Sequence, residues 1–401
     1  MTTLSPGRRP LRLRGPVGGR PPFGRPGRPA FGRRPRLDWA LCAAAVALCL
    51  LGAVLVWSAT RPRLVAAGED PQAYLKRQIA NVVVGLALMT ALALSGHGAL
   101  RAWTAPLYAL SCLGLVAVLT PLGMTVNGSQ SWLGLGGLRV QPSEFAKLAL
   151  VLGLAAVLGD PPDGGRRPRG PQVLLALGLA AVPLGLVMLQ PDLGTFTILA
   201  VTAGCMLVVA GVRWRWIALL ALAGAAAAAA AWWLELLRPH QVQRLLTFTD
   251  PAADPQGAGY NAAQALVTVG SGGLFGRGLF QGDQTGGRFV PEQHTDFVFT
   301  VAGEELGFAG TMLILLLLWI VLRRGLRVAG RAASPYGTLA AAGIVCWLAV
   351  QTFVNVGMVV GLAPVVGVPL PFVSYGGSSV AVCLAAVGVL AAIHRQDAHR
   401  L

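Results

Sequence analysis

Ten stretches of the chain are apolar almost without interruption: residues 39–57, 79–95, 104–122, 143–159, 172–189, 192–211, 214–233, 297–322, 337–361 and 377–393. About 20 apolar residues in a helix match the hydrocarbon thickness of a bilayer. Backbone inside that layer must satisfy its own hydrogen bonds, which favours helices. The runs therefore predict an all-α polytopic membrane protein of about ten transmembrane helices. Composition agrees, since 55% of the 401 residues are hydrophobic and only 12% are charged. The fourth and sixth runs open with Pro142 and Pro191, each suited to a first helical turn. All six cysteines (Cys42, Cys49, Cys112, Cys205, Cys346 and Cys383) lie inside apolar runs. They read as small core residues, not as a disulfide framework or a metal cluster.

The net charge of +16 raises the question of nucleic acid, and its distribution argues against that partner. Residues 1–36 carry ten Arg among Pro and Gly. Such a segment cannot bury a core, and it predicts a disordered cytoplasmic tail that sets orientation and touches anionic lipid. The membrane domain then spans 37–396, with a short cytoplasmic C-terminus at 397–401. With ten spans both termini are cytoplasmic. The inner connections then hold Arg101, Arg166, Arg167, Arg169, Arg213, Arg215, Arg323, Arg324, Arg327 and Arg331, as the positive-inside rule requires. The acids go the other way. Only Asp38, Asp160, Asp163 and Asp397 of the sixteen fall on the inner side. The longest connection, about 234–296, is an outer loop between the seventh and eighth spans, expected to be structured and packed on the membrane surface. An inner face this poor in acids does not suit nucleotide-sugar chemistry. The pattern suits chemistry on a lipid-anchored substrate at the outer surface of a bacterial plasma membrane.

Ionisable groups at membrane depth are costly and mark candidate sites. In QPSEFAK (141–147) the fourth span must include Glu144 and Lys147 to cross the bilayer, and residues three apart share a helix face. The plainer alternative is a structural ion pair that locks two helices. Upstream, NGSQSWLGLGGLRVQ (127–141) is a Gly-rich turn presenting Trp132, a membrane anchor or a surface for a sugar ring, and Arg139, whose planar fork matches phosphate oxygens. Asp192 in QPDLG reads as a helix cap. In the long loop Asp250 and Asp254 each precede Pro and read as turn formers, while Arg244 is the more interesting residue. PLPFVSYGGSS (369–379) offers Ser374, Ser378 and backbone amides at a helix start, where an anion or a simple cap would fit equally.

The densest group of acids is in RFVPEQHTDFVFTVAGEELGF, from residue 288. If the eighth helix begins near Asp296, Glu304 sits about 80° round from it and Glu305 on the opposite side. One glutamate would then join a cavity with Asp296 while the other pairs with a neighbouring helix. A carboxylate at the wet end of an apolar cavity suits proton abstraction. His294 is a rival base, and an N-cap role is the plain alternative for Asp296.

QPSEFAK, DPQGAGYNAAQALVTVGSGGLFGRG, FVPEQHTDFVFTVAGEELGF and PFVSYGGSS resemble, in this order, the signature segments of the SEDS family (shape, elongation, division and sporulation). The likeness covers about 38–395 and is nearer the elongation branch, RodA, than the division branch, FtsW. It implies a peptidoglycan glycosyltransferase that polymerises lipid II into a nascent glycan strand and releases undecaprenyl pyrophosphate. It also implies work beside a class B penicillin-binding protein, a transpeptidase, and other elongation-complex membrane proteins. The family's essential Asp falls on Asp296, and its motif positions fall on Gln141, Glu144, Lys147, Arg139 and Arg244. Asp296 is then the base, with Lys147, Arg139 and Arg244 stabilising the departing pyrophosphate. A divalent cation, Mg or Mn, held by Asp296 and the pyrophosphate is compatible with this chemistry, although no ligand spacing demands one. Two rival readings are a lipid II flippase and a non-catalytic scaffold that activates a transpeptidase.

Overall fold

The structure, a computed structural model, describes residues 38–126, 129–135, 138–159, 167–235, 241–243, 247–248 and 257–400. The Arg-rich segment 1–36, Arg166, Arg244, Asp250 and Asp254 lie outside the described residues.

Each of the ten apolar runs forms one helix. They are α1 (Trp39–Ala66), α2 (Ala73–Leu94), α3 (His97–Val118), α4 (Pro142–Leu158), α5 (Gly170–Leu189), α6 (Leu193–Val209) and α7 (Trp214–Trp233), followed later by three more. Two helices of the long connection, α8 (Ala258–Ser271) and α9 (Asp283–Gly287), precede α10 (Val298–Arg331), α11 (Pro335–Val359) and α12 (Gly377–Arg400). Among the described residues eight helices are long and apolar enough to cross a bilayer unaided. The other two, α4 and α6, have 17 residues each. This is a multi-pass membrane protein.

Local signals explain the helix starts. Asp38 caps α1 by accepting from Leu41 N at 3.2 Å. Asp192 caps α6 through Thr195 N at 2.9 Å, and Ser334 caps α11 through Gly337 N at 3.1 Å. Pro142 occupies the first turn of α4. An Arg324–Asp38 bridge of 3.5 Å places the end of α10 beside the start of α1, on what we term the proximal face. On the opposite, distal face the connections before α10, α4 and α12 meet. There Tyr375 N donates to His294 O at 2.9 Å and Gln141 N to Ser378 Oγ at 3.1 Å.

Helix α12 is central, with 89% of its apolar stretch buried against its neighbours. Its contact with α2 is backbone to backbone, since a Cβ at Gly388 would lie 2.5 Å from Met89 O. Helix α7 buries none of its residues and, among the described elements, packs mainly along α6.

Three expectations are corrected. The stretch 127–141 is not simply a Gly-rich turn, because β1 (Gly123–Val126), β2 (Ser129–Leu135) and β3 (Leu138–Val140) form an antiparallel sheet in that order. Helix α10 begins at Val298, so Asp296 stands on the preceding turn and its angle to Glu304 cannot be projected along a helix. Finally, α10 is broken at Gly307, where φ is 68° and ψ −164°. The chain after α8 fills the break. Arg277 N and Gly278 N donate to Glu304 O and Glu305 O at 2.9 and 3.1 Å, while Phe308 N and Ala309 N donate to Gly273 O and Leu274 O at 2.9 and 3.0 Å. Irregular backbone at membrane depth persists only where protein satisfies it, and these four bonds do so.

Candidate active site

The distal face gathers the turn at residues 291–297, the 360–376 connection, the start of α2 and the end of β3. Asp296 is half-buried on that turn. Buried Asn355 of α11 fixes it from below, donating Nδ2 to Asp296 O at 2.7 Å and to Val368 O at 2.6 Å. Gly367, with φ of 69°, lies against the carboxylate, since a Cβ there would stand 3.2 Å from Asp296 Oδ2. The backbone is clamped while the carboxylate end faces a glycine.

His294 sits two residues earlier in an aromatic cluster. Its ring centroid is 5.3 Å from that of Tyr74 and 5.6 Å from that of Tyr375, which are themselves 5.1 Å apart. Burial pushes the His294 pKa below its usual value; Glu292 pulls it up and Arg63 adds to the depression. The imidazole is thus neutral near neutral pH. Burial raises the Tyr375 pKa, while the Arg77 and Arg139 guanidinium groups pull it down. Two guanidinium groups therefore border one tyrosine. Arg139 is exposed and pairs across the sheet with Gly134. Trp132, two residues from Gly134 on β2, shares its face because strand side chains alternate.

Lys147 and Glu144 are each only 2% exposed and bond at 2.7 Å. Lys147 Nζ also donates to Gln351 Oε1 at 2.9 Å and lies 5.5 Å from the centre of the Trp347 ring. Gln351 in turn receives Trp347 Nε1 at 2.7 Å and donates Nε2 to Pro369 O at 2.8 Å. Gln351 and Asn355 are one turn apart on α11. The buried ion pair and the Asp296 turn thus hold the same segment, residues 367–369, from two sides. Lys147 is not on the surface that the Arg139 cluster borders.

Several other candidates act within the fold. Glu304 does not face Asp296. Fully buried, it accepts Gln284 N, Thr285 N and Thr285 Oγ1 at 2.7–2.8 Å and caps α9. Glu305 bonds the Ser58 hydroxyl of α1, which is the pairing with a neighbouring helix anticipated for one of the two glutamates. Ser374 Oγ accepts Leu370 N at 2.8 Å, and Ser378 Oγ accepts Gln141 N. Sequence reasoning missed Arg77, Tyr74, Gln351 and Asn355. Signals existed: Arg77 stands at the distal end of a span, on the side opposite Arg324, Arg327 and Arg331, and Gln351 with Asn355 makes an i,i+4 polar pair inside an apolar run.

A polytopic helical bundle whose distal connections hold the clamped Asp296 turn next to an aromatic cluster defines the class, a multi-pass membrane protein. The FtsW, RodA and SpoVE family model, described as cell cycle protein, matches residues 38–399. The chain belongs to that family. It is 38% identical over 373 residues to the peptidoglycan glycosyltransferase MrdB of Escherichia coli K12, covering 92% of this chain and 96% of that protein. It is 39% identical to stage V sporulation protein E of Bacillus subtilis, covering 87% and 94%. The rod shape determining protein RodA of Thermus thermophilus superposes with a TM-score of 0.65 at 32% identity, covering 90% and 97%. A chain of a peptidoglycan synthase complex, in which polymerization and crosslinking are coordinated, superposes with a TM-score of 0.74 at 33% identity, covering 90% and 98%.

Proposed function

We propose that this chain is a peptidoglycan glycosyltransferase that polymerises lipid II during cell elongation, with the distal face outside the cell and both termini in the cytoplasm. The observation that carries it is Asp296, held by its backbone on a clamped turn with its half-buried carboxylate against Gly367. Likeness to MrdB and RodA supports the reaction and the elongation role. The inner-face arginines support the orientation.

In this reading Asp296 takes the proton from an acceptor sugar hydroxyl as that oxygen attacks the anomeric carbon of the donor. The bond from that carbon to the diphosphate breaks, and undecaprenyl pyrophosphate leaves with the negative charge. Arg139 and Arg77 stand where they can offset that charge, and Arg244 keeps the same role by resemblance. Lys147 acts at one remove: through Gln351 it holds Pro369, so it positions the site rather than touching substrate. Trp132 offers its ring to a sugar. Neutral His294 supports the turn. Among the described residues no three His, Cys, Asp or Glu side chains gather closely enough for a metal site. A Mg or Mn ion would therefore take most of its ligands from the diphosphate and water, with Asp296 as a protein carboxylate. The likeness to a synthase complex that coordinates polymerization and crosslinking supports a class B penicillin-binding protein as partner.

Purified protein with lipid II and its transpeptidase partner tests this. Wild type is expected to make glycan polymer and Asp296→Asn none. Equal polymer from both discards the assigned base, and none from either discards the enzymatic reading.

A further inference from the structure

The proximal face carries a cavity that the reaction does not use. It encloses about 290 Å³ between the start of α1 and the ends of α10 and α12, and its polar lining comes from Asp38, Arg324, Arg327, Arg331 and His394. The three arginines recur at three and seven residues, which places them within about 60° of one another on α10. They face a single acid from the lining, Asp38, whose carboxylate is already shared between the α1 cap and Arg324. Arg327 and Arg331 make no ion pair among the described residues.

Two ordinary explanations fall short. The carboxyl end of a helix attracts one cation in its last turn, which accounts for Arg331 but not for residues one and two turns earlier. The orientation rule accounts for positive charge in this connection but not for its collection in a concavity. The chain preceding Asp38 is itself arginine-rich and contains no acid, so its sequence supplies no carboxylate to neutralise these groups. Trp39, 74% exposed at the rim, is the amphipathic residue expected where headgroups meet acyl chains.

We infer that this cavity binds a phosphate-bearing anion, the headgroup of an anionic glycerophospholipid, between the guanidinium groups of Arg324, Arg327 and Arg331. A guanidinium fork matches two phosphate oxygens, and a basic pocket between helix ends at the membrane boundary suits a lipid-borne phosphate.

Native mass spectrometry of the full chain in detergent, titrated separately with phosphatidylglycerol and phosphatidylcholine, tests the site. Wild type is expected to retain one phosphatidylglycerol at concentrations where phosphatidylcholine dissociates. Arg327→Gln with Arg331→Gln, which spares the Arg324–Asp38 bridge, should weaken that retention about tenfold or more and leave phosphatidylcholine unchanged. Arg331→Gln alone, at the helix end, should weaken it about threefold and serves if the double variant does not fold. Removal of residues 1–36 should leave retention intact. Retention unchanged in the variants, or abolished by removing the tail, overturns the site. Inorganic phosphate alone separates the sources: protection against thermal unfolding as strong as that from the lipid would overturn the headgroup assignment.

Discussion

Asp296 and Glu304 lie eight residues apart and are both carboxylates near the distal end of α10, yet their surroundings differ in kind. Glu304 is fully buried, with both oxygens occupied by the amino end of α9. Asp296 is half-buried, and its backbone carbonyl rather than its carboxylate carries the bond to Asn355. One acid holds a loop in shape. The other is itself held in shape. The fold engages Glu304 through both carboxylate oxygens and Asp296 through its backbone carbonyl, and that difference is what the proposed roles of the two acids rest on.

The sharpest way to break this contrast is Asp296→Asn. Polymer formation should fall by about 10²–10⁴-fold, the usual contribution of a general base, while the unfolding temperature stays at the wild-type value. A large loss of stability instead would make Asp296 another structural acid. Next comes Lys147→Met, which strands Glu144 in the interior and should cost about 3–5 kcal/mol of stability. Combining it with Glu144→Gln should recover most of that loss, and denaturation of the two variants side by side decides whether the ion pair is structural. Glu304→Gln should reverse the Asp296 pattern. The amide keeps only one acceptor oxygen for three donors, so about 1–3 kcal/mol of stability is lost, with polymerisation per folded molecule near wild type.

The smallest effect concerns His294. Its native pKa lies below the ordinary value of 6.5, so the unfolded chain binds the proton more readily. Stability should therefore fall as pH drops below about 6.5, with no contribution above it. His294→Gln should flatten that slope in unfolding curves taken between pH 7 and 5.

Much of the fold was legible because a bilayer imposes a simple rule on length and polarity. All ten runs became helices, including α4, whose Glu144 and Lys147 had to lie inside it. Hydropathy could not tell α12, almost wholly enclosed, from α7, which buries nothing, because lipid and protein interior accept the same side chains. The sheet at 123–140 was missed although Asn127–Gly128 and Gly136–Gly137 are hairpin dipeptides between β-prone runs. The sequence put Asp296 at a helix start, but the helix begins two residues later, which removed the angular link to Glu304. The Lys147–Gln351 contact and the break at Gly307 depend on segments far apart in sequence, and no local pattern carries them.

The clasp at Gly307 has a mechanical consequence. The strand of chain after α8 and the opened turn of α10 complete each other's hydrogen bonding within the membrane protein, and parting them would strand polar backbone on both sides at several kcal/mol per group. That part of the long connection is therefore wall, not door. Any motion that admits a bulky lipid-linked sugar must come from another segment, and a crosslink between residues 275 and 308 should leave such motion untouched.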